Sequence, residues 1–204
     1  MTLTEDRSAS ATPSPMNPAR RAMIESQLRT SGVNEPWVLK AIGGVAREDF
    51  VPGSMRDAAY IDRAIPLGEG RFLAAPLVHA KMLAEAEPNL KDRALLIGDG
   101  DGYLAALLRP LVGSLDAVAP ADATAMAGEG SYSLIVIDGA VEELPASLAG
   151  QLATDGRLVT GLMVRGVPRL AAGRKAAGTI SLLPLAELGI PALPEFAAPK
   201  RWSF

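Results

Sequence analysis

The chain has 204 residues, a formal net charge of −3, 49% hydrophobic residues and no cysteine. This composition predicts one folded domain with a sizeable core, and argues against a nucleic-acid partner, which needs clustered basic residues, and against a membrane span, which needs a longer apolar run. The absence of cysteine excludes disulfides, thiolate metal sites and a cysteine nucleophile, and we expect a cytoplasmic protein.

The first ninety residues predict a disordered lead followed by a helical extension. Residues 1–18 are rich in Ser, Ala, Thr and Pro and lack the apolar block of a secretory signal. A short helix follows and ends at Gly32, and Asn34 is suited to cap the next one. Residues 53–75 predict a loop with short strands, and Pro76 is suited to start a third helix.

From residue 91 strand and helix patterns alternate, which predicts a Rossmann-like core over residues 91–165. The apolar runs predict strands at 94–97, 115–118, 133–137 and 157–160, and helices at 104–108 and 145–151. The remainder, 166–204, predicts an antiparallel hairpin that turns at Gly178, and a tail. We therefore expect an α/β fold in one domain from residue 19 to 204, with a mostly parallel sheet and an antiparallel C-terminal hairpin.

Three glycines alternate in the turn between the first core strand and its helix, at Gly98, Gly100 and Gly102. Glycine allows a tight exit from the strand, close approach of a ligand to the backbone and close packing of the helix. A ligand would lie beyond the carboxyl ends of the strands, over the start of the helix. Because such glycines also serve plain turns, a merely structural role is the alternative.

The GxGxG spacing resembles the first motif of S-adenosylmethionine-dependent methyltransferases. Segments at 20–52, 59–68, 96–103, 134–145 and 156–159 resemble, in this order, the blocks of protein-L-isoaspartate O-methyltransferases. The resemblance implies methyl transfer from S-adenosylmethionine to isoaspartyl carboxylates of damaged proteins. It further implies a cofactor site at Gly98, Gly100, Gly102 and Asp138, and a peptide facing the remnant of a substrate loop at Leu73, Ala74 and Ala75.

The sequence departs from that family at three places, so it resembles a degenerate member. Phe72–Pro76 replaces the family's Thr-Ile-Ser-Gln-Pro loop, and Phe72 and Leu73 are interpreted as packing residues. Leu96 and Ala119 stand where the family has acidic residues that serve the cofactor. Only twelve residues, 120–131, connect two strands, so we expect the sheet to be shortened by one βα unit. These departures predict weak or lost cofactor binding and favour the alternative of a non-catalytic binding or self-associating module.

Two further groups of residues are candidate sites. The single histidine, His79, is interpreted as a surface or packing residue, and no metal site is expected. Asp99, Asp101 and Asp138 follow strands that end at one crevice, where they could bind Mg²⁺ or a cationic ligand. The favoured alternative is that Asp99 and Asp101 cap the following helix.

Loss of a βα unit also bears on self-association. The strands at 115–118 and 134–137 are predicted to be covered on both faces, so removal of a neighbouring unit should uncover an edge or an apolar surface. Because twofold dimers are the commonest homo-oligomers, we expect a homodimer.

Overall fold

Eight strands are found in the part of the chain that the structure describes. The computed structural model describes residues 16–127 and 130–198. The strands are β1 (Ile65–Gly68), β2 (Arg71–Leu73), β3 (Arg93–Ile97), β4 (Ser114–Val118), β5 (Tyr132–Val141), β6 (Leu152–Val164), β7 (Val167–Ala176) and β8 (Thr179–Glu187). The first two form a separate antiparallel hairpin, and the others form one sheet in the order β4-β3-β5-β6-β7-β8.

The pairing within the large sheet confirms the predicted fold class. Neighbours from β4 to β6 are parallel, whereas β6, β7 and β8 form an antiparallel meander. The predicted antiparallel hairpin that turns at Gly178 is therefore confirmed, and this glycine has a φ of +80°. By contrast, the strand predicted at 157–160 is only the middle of β6, which begins at Leu152, ends at Val164 and is much longer than expected.

Helices cover both faces of the sheet. They are α1 (Pro18–Met23, continued by a π-helical turn over Ile24–Leu28), α2 (Pro36–Gly44), α3 (Pro76–Ala86), α4 (Tyr103–Leu108), α5 (Pro120–Ala123) and α6 (Ala146–Gln151). Turns of 3₁₀-helix occur at Arg47–Phe50, Gly53–Ala58 and Pro194–Phe196. Within the described ranges, no helix has both the length and the apolarity needed to cross a bilayer.

The apolar strands explain why two cores form. Alternate side chains of a strand point to opposite faces of the sheet. In β3, Leu96 packs into the core beneath α3 and α4, whereas Leu95 and Ile97 pack into the core beneath α5 and α6. All three side chains are fully buried, as a continuous apolar run predicts for a strand covered on both faces.

The N-terminal region differs from its prediction in one detail. Residues 1–15 of the predicted disordered lead lie outside the described residues, and Asn17 caps α1 by accepting from the Ala19 N–H at 2.9 Å. Gly32, where the first helix was predicted to end, has a positive φ of +80°. The predicted Asn34 cap is wrong, since Glu35 occupies the cap position of α2 without a side-chain bond to the helix.

A polar network attaches α1 to the following turns. Arg20 donates from Nε to the Tyr60 hydroxyl at 2.8 Å, and its Nη2 lies 3.4 Å from Glu48. Burial alone would raise the pKa of Glu48. The hydrogen bonds from Tyr60 and Asn17 outweigh that effect and lower the pKa to about 2. The helical extension is thus held to the domain by buried charge-assisted bonds as well as by apolar packing.

The prediction that residues 115–118 are covered on both faces is wrong. β4 is an edge strand, and its residues are exposed or half-buried. Only the one-turn helix α5 lies in the described part of the connection from β4 to β5. Among the described residues no strand pairs with the outer side of β4, which agrees with a sheet shortened at this edge.

Candidate functional site

A cleft of about 640 Å³ opens at the carboxyl ends of β3, β4 and β5. The glycine-rich loop, residues 98–102, and Asp138 lie along it together with Ala119. The β1–β2 hairpin forms a second wall, and the segment 191–195 forms a third. Ligands of open parallel sheets bind at this position, because the helix N-termini and the strand-to-helix loops converge there. The sequence-based placement of the site beyond the strand ends agrees with this cleft.

Close packing explains the three glycines, and a Cβ added to Gly102 would lie 3.0 Å from the Cβ of Asp99. A Cβ added to Gly98 would lie 3.1 Å from the Cβ of Asp138, and one added to Gly100 would lie 3.1 Å from the Cβ of Ala117. Both distances are tighter than most contacts of real Cβ atoms. The glycines therefore let the loop lie directly against β4 and β5. Their contact with a cofactor remains a prediction.

The three aspartates line the cleft without forming a metal centre. Asp99 accepts from the Asp101 N–H at 2.9 Å, and Gly102 occupies the cap position of α4 without a side-chain bond, so the predicted capping of the helix by these aspartates is wrong. Asp101 is fully exposed, 4.0 Å from Arg109. No group of three carboxylate or imidazole side chains within the described residues is placed to hold a metal ion.

His79 has a more specific environment than the sequence indicated. It is fully buried on α3, which agrees with packing and rules out a surface position. Its Nε2 lies 3.0 Å from Oδ1 of Asp138, and its Nδ1 lies 3.4 Å from Nη1 of Arg47. The sequence carries no local signal for these contacts, because the histidine and the aspartate are 59 positions apart.

Arg47 is the largest fully buried side chain of the described part of the chain, and the sequence analysis missed it. Nε donates to the Ala59 carbonyl at 2.7 Å and Nη2 to the Ala74 carbonyl, while Cζ lies 5.0 Å from the centre of the Tyr103 ring. Burial lowers the pKa of this guanidinium to about 10. Arg47 therefore joins the helical extension, the remnant of the substrate loop and His79 in one buried polar cluster.

The remnant of the substrate loop is only partly in the cleft. Leu73 lines it, whereas Ala74 and Ala75 are buried away from it, and the Ala74 carbonyl is already bonded to Arg47. The expectation that the backbone of all three residues faces a peptide is therefore wrong for Ala74. Leu73 packs as expected, but Phe72 does not, since it lines the cleft and is 49% exposed.

The two positions that lack an acidic residue have different surroundings. Leu96 is fully buried in the core beneath α3 and does not line the cleft. Ala119 is exposed, lines the cleft and directly follows β4. A cofactor in the cleft would therefore find a methyl group at position 119, where a carboxylate would accept hydrogen bonds.

Comparisons with known proteins give a consistent picture. The family model of protein-L-isoaspartate(D-aspartate) O-methyltransferase matches residues 19–125. Protein-L-isoaspartate O-methyltransferase 1 of Rhodopseudomonas palustris is 36% identical over 165 residues, which cover 69% of this chain and 67% of the relative. The protein-L-isoaspartate O-methyltransferase of Methanoculleus marisnigri is 33% identical over 196 residues, which cover 84% and 89%.

A solved structure shares the fold. It is described as a protein-L-isoaspartate O-methyltransferase from Plasmodium falciparum in complex with S-adenosyl-L-homocysteine. The TM-score is 0.72 at 18% identity, and the match covers 88% of this chain and 99% of that one.

Proposed function

Because the chain belongs to the protein-L-isoaspartate O-methyltransferase family, we propose that it binds S-adenosylmethionine in the cleft and methylates isoaspartyl carboxylates of proteins. The observation that carries this proposal is the cleft itself. It lies at the strand ends, and the glycine-rich loop and Asp138 border it. The bound S-adenosyl-L-homocysteine of the Plasmodium structure supports the same cofactor here.

The residues present fit this cofactor, with one deficit. The cleft volume lies in the range of about 300–1,000 Å³ that is typical of small-molecule sites, and half-exposed Phe72 provides an apolar wall. Bound S-adenosylmethionine would supply a methyl group on a positively charged sulfur, ready for transfer to a carboxylate oxygen. Without a carboxylate at Ala119 the ribose hydroxyls lose a charge-assisted bond worth about 1.5–3 kcal/mol, so we propose weak binding.

Arg71 is the residue that we propose for the substrate carboxylate. Among the described residues that line the cleft it is the only lysine or arginine, and it stands at the start of β2 beside Phe72. Its nearest acidic partner, Glu69, is 3.9 Å away, and both side chains are largely exposed. The guanidinium is therefore free to donate two parallel hydrogen bonds to an incoming carboxylate. Arg71 would supply the side-chain hydrogen-bond donors that Ala74 and Ala75 lack.

Methylation of a synthetic isoaspartyl peptide tests this function. We expect ester formation from labelled S-adenosylmethionine, and Arg71→Ala should raise KM for the peptide by about fivefold or more with kcat little changed. Arg63→Ala is the matched control, because Arg63 is exposed but does not line the cleft. Equal effects of the two substitutions would contradict the role of Arg71, and no ester at saturating cofactor and peptide would contradict the enzymatic function.

A non-catalytic binding module is the second candidate. Two observations favour it. The remnant of the substrate loop has no side-chain hydroxyl, and the Ala74 carbonyl already accepts a hydrogen bond from Arg47 and is therefore not available to a substrate. Binding of S-adenosylhomocysteine without methyl transfer to the isoaspartyl peptide would select this candidate over the enzyme.

We further propose that the chain forms a homodimer, and that β8 contributes to its interface. The outer strand of the meander exposes Leu183 by 65% and Leu185 by 41%. Sedimentation at micromolar concentration should give twice the mass of the chain. Leu183→Glu should give the single-chain mass, because it places a charge in an apolar contact. A wild-type protein that sediments at the single-chain mass would contradict the dimer.

A further inference from the structure

The contacts of His79 determine which of its ring nitrogens carries the proton. A guanidinium can only donate hydrogen bonds, so Nδ1, which faces Nη1 of Arg47 at 3.4 Å, has to accept. The proton of the neutral ring then lies on Nε2, which donates to Oδ1 of Asp138 at 3.0 Å. Both ring nitrogens therefore have a hydrogen-bond partner, and these two contacts fix the orientation of the buried ring.

We propose that His79 is a positioning residue that holds the Asp138 carboxylate towards the cationic sulfur of the cofactor, so that the cleft selects S-adenosylmethionine over its uncharged-sulfur product. This inference rests on the proposed function, since it requires that the cleft is the cofactor site. Beyond that function, the inference states that the cleft binds S-adenosylmethionine more tightly than the product, and that buried His79 supports this preference by holding Asp138.

The position of Asp138 supports this role. It lies where the register between β5 and β6 shifts, between Val136 and Ala140, and a Cβ on Gly98 would touch its Cβ at 3.1 Å. The carboxylate is therefore directly beside the glycine-rich loop. Its side chain is 21% exposed and lines the cleft, and its Oδ2 has no hydrogen-bond partner among the described residues. One oxygen is anchored and the other is available to a ligand.

The other carboxylates of the cleft act in the same direction as Asp138. Among the described residues, the carboxylates that line the cleft outnumber the one guanidinium, that of Arg71 on the β1–β2 wall; they are Asp49, Glu69, Asp99, Asp101, Asp138 and Glu195. Most of these side chains are exposed, where solvent weakens their effect. Asp138 is the one that is held against the loop by a buried donor, so it should contribute most of the preference for a cation.

The two forms of the cofactor differ by one charge. S-adenosylmethionine carries a sulfonium in addition to its ammonium and carboxylate, whereas S-adenosylhomocysteine has a neutral thioether. A partly buried carboxylate that faces the sulfonium should favour S-adenosylmethionine by about tenfold or more. A cleft with this preference would release its product readily after each transfer.

Calorimetric titration of the 204-residue chain tests the inference. The probes are S-adenosylmethionine, S-adenosylhomocysteine and sinefungin, which has a protonated amine in place of the sulfonium. We expect the Kd of S-adenosylhomocysteine to exceed the other two values by about tenfold. Asp138→Asn should reduce this ratio to about 1–2, chiefly by weakening the two cationic ligands. A merely structural role would weaken all three ligands equally and leave the ratio unchanged.

Variants of His79 test its part separately. In His79→Gln the amide can donate to Asp138 and accept from Arg47, so the ratio should be kept, whereas His79→Leu should lower it towards that of Asp138→Asn. Thermal melting shows whether each variant is folded. If His79→Leu does not fold, the Kd ratio of Asp138→Asn still tests whether Asp138 causes the preference for a cationic ligand.

Glu195→Gln is the matched control, since it removes a cleft carboxylate that is exposed. An equal loss of the ratio in this control would overturn the special role of Asp138. A wild-type ratio near 1 with measurable binding would overturn the inference while leaving the proposed function intact. Binding of none of the three ligands would instead refute the cofactor site and the inference with it.

Discussion

Ala119→Glu should tighten the binding of S-adenosylhomocysteine by roughly tenfold to a hundredfold. Position 119 follows β4 directly and lines the cleft, and its alanine is exposed, so a longer side chain meets no buried neighbour. A carboxylate there would accept hydrogen bonds from the ribose hydroxyls of a cofactor in the cleft. Isothermal titration of the two proteins under the same conditions measures the change.

Ala119→Gln is the control for this substitution. Its amide has nearly the same size as the carboxylate but carries no charge, so it should recover only a small part of the gain. If glutamine and glutamate tighten binding equally, added contact area rather than a charged hydrogen bond accounts for the effect. If neither changes the Kd, the ribose does not lie beside position 119, and the proposed placement of the cofactor is wrong.

Asp92→Asn should lower the free energy of unfolding by about 3–5 kcal/mol, the cost of breaking a buried ion pair. Asp92 is 4% exposed and accepts two bonds from Arg157, one of them at 3.0 Å, and one from Ser133 at 2.7 Å. Removing its charge leaves the guanidinium of Arg157, whose side chain is only 15% exposed, without this counter-charge. Urea unfolding measures the loss.

A half-exposed pair serves as the control for Asp92→Asn. Asp116 lies 3.3 Å from Arg93, and both side chains are about half exposed. Because solvent screens such a pair, Asp116→Asn should cost less than about 1 kcal/mol. Similar losses for the two substitutions would contradict the assignment of Asp92 as a buried structural charge.

The ion pair between Asp92 and Arg157 also predicts how stability depends on pH. Burial opposes ionisation of Asp92, but the hydrogen bonds from Arg157 and Ser133 outweigh it and lower the pKa of this carboxyl below its ordinary value. A group whose pKa is lower in the folded state stabilises the fold above its unfolded pKa, and this contribution is lost as the pH falls through the folded value. The difference in stability between the wild type and Asp92→Asn should therefore shrink below about pH 4. A difference that stays constant to pH 2 would contradict this linkage.

The local order of elements was determined by the sequence. Continuous apolar runs such as 94–97 predict buried strands, because a strand covered on both faces needs apolar side chains at every position. The alternating glycines between such a strand and a helix predict the loop that borders the cleft, and a Cβ at Gly98 would lie only 3.1 Å from the Cβ of Asp138, closer than most real Cβ contacts. These signals depend on neighbours within a few residues, and the elements that they predict are present in the structure.

The contacts that define the site were decided by the tertiary structure alone. His79 meets Asp138 across 59 residues, and Arg157 meets Asp92 across 65. The exposure of β4 likewise depends on its place at the edge of the sheet. A pattern of apolar and polar residues reports which side of an element is buried. It does not report which other element packs there, because strand order and helix docking bring together residues that carry no trace of each other in the local sequence.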